Sequence, residues 1–146
     1  MVDPLFISVT DDVRALARDV VDDDFDDPAI VKEQKAAYAK IGIATGKWDW
    51  DASDTKRFPA IQKIEQKLAA SYLIEYYGSG TAEEIAVIKS LRDAVKEDLT
   101  EIIAQSTDLT STDDTLLILT SLFESYPASL QDDMNAIPHR STTVSV

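Results

Sequence analysis

The 146-residue chain contains no cysteine, a single histidine (His139) and four scattered glycines. Without cysteine there is no disulfide, no thiolate nucleophile and no thiolate ligand for a metal. A lone histidine provides neither the usual zinc ligand set nor a Ser-His-Asp triad. The glycines form no phosphate-cradling loop, so nucleotide binding has no motif to rest on. Positive charge is scarce too: 14 Lys and Arg stand against 27 Asp and Glu, a net charge of -13. Tight binding of a nucleic-acid backbone needs clustered cations to displace counterions, and this chain does not have them. No apolar run approaches the roughly 18 residues a membrane-spanning helix requires. The first residues, MVDPLFISVTDDV, lack the basic start and apolar core of a signal peptide. A soluble, untargeted protein with no membrane partner is the expectation.

What the chain has in quantity is aspartate, 19 residues against 8 glutamates. A surface of hydrated carboxylate repels itself at low ionic strength, whereas at about 1 M salt the Debye length falls to about 3 Å and the repulsion is screened. The composition therefore reads as adaptation to high salt. A length of 146 residues fits one compact domain with a real core, since domains of roughly 100–150 residues bury well over half of their unfolded surface. The organisation expected is a helical domain over residues 1–105 and a C-terminal extension over residues 106–146.

Four helices follow from period and punctuation. Thr10 reads as an N-cap for a first helix over residues 11–19, with Asp11 and Asp12 at the positive end of its dipole and Val13, Leu16, Ala17 and Val20 on one face. Asp27 before Pro28 reads as cap and first helical residue of a second helix over residues 28–43, with Ile30, Gln34, Ala37, Tyr38 and Ile41 inward. Pro59 opens a third, whose stripe of Ile61, Ile64, Leu68, Tyr72 and Tyr76 is widened by Leu73 and Tyr77. Thr81 and Glu84 make a capping box for a fourth helix over residues 82–104, with Ile85, Ile88, Val95, Leu99 and Ile102 inward. After Ser106 the composition shifts to Thr, Ser and Asp. The apolar island at 116–123 is too short for period to choose between helix and strand, and the alternating HRSTTVSV end is β-permissive. The fold class expected is mainly α: a small antiparallel bundle of about four helices with an extended tail.

Three constellations merit weighing as chemistry. Asp22, Asp24, Asp26 and Glu33 meet the acidic positions of a calcium loop, but Asp27 stands where the turn glycine belongs and Pro28 starts a helix. A solvated acidic linker is the better reading, and no metal is assigned. The loop of residues 46–58 carries Trp48 and Trp50 among Asp49, Asp51 and Asp54 and runs into Phe58. These aromatics either anchor a protein or carbohydrate contact or fold back over the core. Tyr72, Tyr76 and Tyr77 could stack bases, although helical spacing makes core packing the better account. Carboxylates are plentiful everywhere, so none stands out as a general acid, and no catalytic residue or cofactor is assigned.

The order of parts resembles the head-tail connector (adaptor) family of tailed viruses. The residues that carry the likeness are VTDDVRALARDV, the acidic DDPAI, a helix pair, then RFPAIQKIEQKLAASYLIEYYG and a charged fourth helix, about residues 8–105. The acidic bias and the tail after Ser106 depart from bacterial-virus members and point to a virus of a halophilic archaeon. The resemblance implies a structural, non-enzymatic virion protein that is assembled in the host cytoplasm and sits at the head–tail junction. It implies a homo-oligomeric ring of about twelve subunits that meets portal protein on one side and tail or head-completion proteins on the other. DNA would pass through its channel without sequence-specific binding. Ring closure needs two different complementary faces, and the Trp48–Trp50 loop with Phe58 and the flank of the fourth helix are the candidates. Pro138, His139 and Arg140 in the tail are further interface candidates, through addition of a strand to a neighbour. Two competing readings are an acidic mimic of DNA and a helical regulator that binds a protein partner through its Trp loop.

Overall fold

The computed structural model describes residues 6–109. Four helices make up this part of the chain: α1 (Thr10–Arg18), α2 (Asp27–Thr45), α3 (Phe58–Tyr77) and α4 (Ala82–Ala104), and there are no strands among the described residues. The fold is mainly α, as the periods require. The apolar island at 116–123, the β-permissive end and Pro138, His139 and Arg140 lie outside the described residues.

Cap chemistry differs from expectation at two of the four starts. Val9 occupies the N-cap of α1 and Thr10 is already helical, its hydroxyl donating to Gln34 Oε1 at 3.1 Å instead of capping. Asp26, not Asp27, caps α2 by accepting from the Ala29 N–H at 3.1 Å. This frees the Asp27 carboxylate, which pairs with Arg14 on α1. In each case a longer-range partner, Gln34 for Thr10 and Arg14 for Asp27, claims the side chain expected to cap. The α4 start holds as read, with Thr81 Oγ1 accepting from the Glu84 N–H at 3.2 Å and Glu84 Oε1 accepting from the Thr81 N–H at 3.1 Å. Helix α3 begins at Phe58, one residue before Pro59.

Helix α3 lies at the centre and packs on each of the other three. Cross-helix pairs fix the directions. Lys67 meets Asp98 and Glu75 meets Arg92, so α3 and α4 are antiparallel; Glu33 and Tyr72 line one recess while Lys32 lies over Tyr76, so α2 and α3 are antiparallel too. The core runs through Val13, Ala17, Ile30, Ile41, Ile61, Ile64, Leu68, Leu73, Ile88, Val95 and Leu99. Burying each large aliphatic side chain contributes about 1.5–3 kcal/mol, and this is what holds helices too polar to persist alone. On α4 the buried residue near the end is Ile103, with Ile102 only partly covered. Packing continues past the helix end: Leu109 joins the core and Asp108 forms a double hydrogen bond with Arg57 at 2.8 and 3.0 Å.

Candidate interaction surface

The Trp loop starts where α2 ends in left-handed Gly46 (φ 74°), a conformation that costs a residue with a Cβ roughly 1–2 kcal/mol. Tyr38 of α2 then organises the loop. Its hydroxyl donates to the Trp48 carbonyl at 2.6 Å and accepts from the Trp50 N–H at 3.3 Å, so one phenol fixes both tryptophans. The two indoles part company. Trp50 is 4% exposed and joins the core, whereas Trp48 is 54% exposed and lies flat on Gly42 of α2. A methyl group at Gly42 would overlap the Trp48 ring, so the missing Cβ is what lets the indole rest on the helix. Ile43 beside it is also half exposed. Core packing thus describes Trp50, while Trp48 stays exposed on the surface. Phe58, at the start of α3, is partly buried.

Cations and carboxylates brace the loop from below. The Arg57 guanidinium lies 5.0 Å from the Trp50 ring centroid and Lys47 Nζ lies 5.3 Å from it, each over the negative face of the indole. Arg57 Nε donates to Asp54 at 2.6 Å, and the hydrogen bonds from Arg57 hold Asp54 and Asp108 below the usual carboxylate range. The same bonds, donated to Asp108 first and then to Asp54, raise the Arg57 guanidinium. Asp51 accepts from the Ser53 hydroxyl and, at 2.8 Å, from its N–H, and these bonds lower its carboxyl. The acidic residues of this loop are turn-formers and counterions to Arg57 and, for Asp49, to Lys47.

The acidic linker between α1 and α2 is built around a buried aromatic. Phe25 takes a left-handed backbone (φ 37°), uncommon outside glycine, and its ring enters the core edge-on to Tyr77 at 5.4 Å. Arg14 Nε donates to the Phe25 carbonyl at 3.1 Å and holds the turn. The surrounding carboxylates diverge: Asp23 turns back to the Phe25 N–H, Asp24 lies 3.8 Å from Arg18, Asp26 caps α2 and Asp27 pairs with Arg14. Among the described residues, no group of three or more acidic or histidine side chains is placed to hold a metal.

A second aromatic surface appears where core packing was expected. Tyr76 is 68% exposed and Tyr77 39%, their rings edge to face at 4.9 Å, with Lys32 Nζ 5.4 Å from the Tyr76 centroid. Only Tyr72 of the three tyrosines is largely covered, and burial pushes its hydroxyl up to about 12. Tyr72, Tyr76, Glu33 and Glu75 line a recess of about 350 Å³, in which burial raises the Glu33 carboxyl. The α3 stripe is narrower at its end than its period suggests because α2 begins there and leaves the outer tyrosines uncovered.

Two buried charges escaped the sequence reading. Arg92 of α4 is 3% exposed; its Nε donates to Ser71 Oγ at 3.1 Å, its guanidinium meets Glu75 at 2.5 Å, and it lies 5.2 Å from the Tyr72 ring centroid. Glu65 of α3 has no exposed surface. Each falls inside an apolar stripe, Ile88–Arg92–Val95 and Ile61–Glu65–Leu68, and that placement is the one signal that could have found them. Compared with known protein families, curated proteins and solved structures, the chain gives no match.

Proposed function

We propose that this protein is a structural connector of a tailed virus, forming a homo-oligomeric ring between the portal vertex of the capsid and the tail. The observation that carries the reading is the pair of unlike aromatic surfaces on one acidic bundle. Trp48 rests on Gly42 and Tyr76 lies beside Lys32, ten residues apart on α2 and so about 15 Å along its axis. One surface is an indole on a glycine platform; the other is a tyrosine pair rimmed by Glu33, Glu75 and Lys32. A head-to-tail ring needs two such non-identical faces on each subunit, and aromatic side chains are the usual anchors of protein contacts. The remaining carboxylate-rich surface suits a channel, because it repels phosphate and lets DNA slide. In this reading the protein is not an enzyme. Its partners are copies of itself, portal protein and tail or head-completion proteins, and it resides at the head–tail junction of the virion.

Quantitative mass spectrometry of purified particles tests this reading. About twelve copies per particle are expected. Trp48→Ala and Tyr76→Ala chains, each folded by circular dichroism, should be lost from particles that still package DNA. Absence of the wild-type chain from intact tailed particles overturns the proposal and favours a partner-binding regulator.

A further inference from the structure

The N–H groups of the segment ahead of α1 are gathered by one buried carboxylate. Glu65, midway along α3, accepts from the Ile7 N–H through both oxygens at 3.0 and 3.1 Å, from the Ser8 N–H at 2.7 Å and from the Ser8 hydroxyl. Two glutamines hold the carbonyls of the same segment. Gln62 Nε2 donates to Ile7 O and Gln34 Nε2 to Ser8 O, both at 2.9 Å. Phe6 and Ile7 lie partly buried against the core. Among the described residues no cation pairs with Glu65, and no charged group of α1, α3 or α4 acts on it. The titratable group that faces it is Tyr38 of α2.

We propose that residues 6–8 form a proton-linked latch, closed over a protonated Glu65 and released when Glu65 ionises, uncovering Glu65, Gln34 and Gln62 on α2 and α3. The hydrogen bonding leaves a place for the proton. Oε1 takes both Ser8 donors, whereas Oε2 has only a share of the Ile7 N–H and is free to carry hydrogen. Burying an unpaired carboxylate is costly, and three donors return only part of that cost. Burial wins, and pushes Glu65 up to about 7 against the ordinary 4.5.

The sign of the linkage follows. With the segment released, Glu65 meets water and titrates near its ordinary value. Between about 4.5 and 7 the closed form therefore holds a proton that the open form lacks. Closure is strongest below that window, weakens as pH rises through it and levels off above about 7. From pH 5 to pH 8 the opening equilibrium should rise on the order of 70-fold.

Amide hydrogen exchange on the full chain, followed by NMR and expressed as protection relative to the intrinsic rate, tests the latch. Protection of Ile7 and Ser8 should fall by tens of fold from pH 5 to pH 8 and at each pH stay well below that of Leu99 in the core, whose opening needs global unfolding and exposes Glu65 as well. In Glu65→Gln, protection of the segment should not depend on pH. Ser8→Ala removes one donor to the ionised form, so the midpoint should move to higher pH, and a direct titration of the Glu65 carboxyl by carbon NMR should move with it. Equal protection of Ile7 and Ser8 at the two pH values in the wild type overturns the latch. So does protection of Ile7 and Ser8 equal to that of Leu99 at each pH, which would mean that the segment opens only with global unfolding.

Discussion

Gly42 shows how one missing Cβ shapes the surface of this protein. In the interior of α2 a glycine costs about 1 kcal/mol of helix stability relative to alanine, and here it also seats the Trp48 indole. Gly42→Ala should gain helix propensity and lose the indole contact, for a net stability change within about 1 kcal/mol. Trp48 would have to swing outward. Acrylamide quenching measures this, because buried Trp50 is shielded and the accessible emission reports Trp48. Quenching should increase in Gly42→Ala; an unchanged constant would mean that the ring does not rest on the glycine. Glu65 and Arg92 teach the complementary lesson. A charge inside an apolar stripe looks like an interruption until its partners, Ser8 for one and Ser71 and Glu75 for the other, are brought to it by the fold.

At the scale of elements, the corner between α3 and α4 is the part most completely written in local sequence. Gly78 ends α3, left-handed Gly80 (φ 78°) turns the chain, and Thr81 and Glu84 exchange cap bonds within four residues. Glu84 Oε1 also accepts from the Gly80 N–H at 2.8 Å. Thr81→Ala removes the acceptor for the Glu84 N–H and should cost about 1 kcal/mol. For a domain of this size the melting temperature should fall by about 4–8 °C, read by circular dichroism. No change would place the cap's strength elsewhere, in Glu84 alone. The start of α2 is different. Asp26 and Asp27 are chemically equivalent caps, and only the position of Arg14 on a neighbouring helix assigns one to the cap and the other to an ion pair.

The whole molecule carries a net charge of -13, and most ion pairs among the described residues lie at the surface, where each contributes little. Self-repulsion of the carboxylates opposes the compact state, and salt relieves it. Thermal unfolding should therefore shift upward by roughly 5 °C or more between 0.1 M and 2 M potassium chloride. A flat profile would show that repulsion is already balanced by the cations present and would remove the salt-adaptation reading. The same arithmetic bears on assembly. Acidic subunits approach one another only where charge is screened or replaced by contact area, and in the proposed ring the exposed, uncharged rings of Trp48 and Tyr76 would supply that area.

Among the described residues the sequence by itself determined the number and type of elements, because helical period, cap pairs and punctuating Gly and Pro act within a few residues of one another. It also determined the acidic surface, which is a matter of composition. The tertiary structure decided which residues of each stripe are covered. Period locates a stripe but not its width, and width is set by where a neighbouring helix begins and ends. For that reason Tyr76 is outside and Tyr72 largely inside, although both stand on one helical register. The fate of the two tryptophans was likewise decided by a distant residue, since Tyr38 holds the loop so that Trp50 turns into the core and Trp48 onto Gly42. Glu65 depended on the fold most of all: a carboxylate in the middle of α3 acquires its donors from a segment nearly sixty residues earlier, and only the packed chain brings them together.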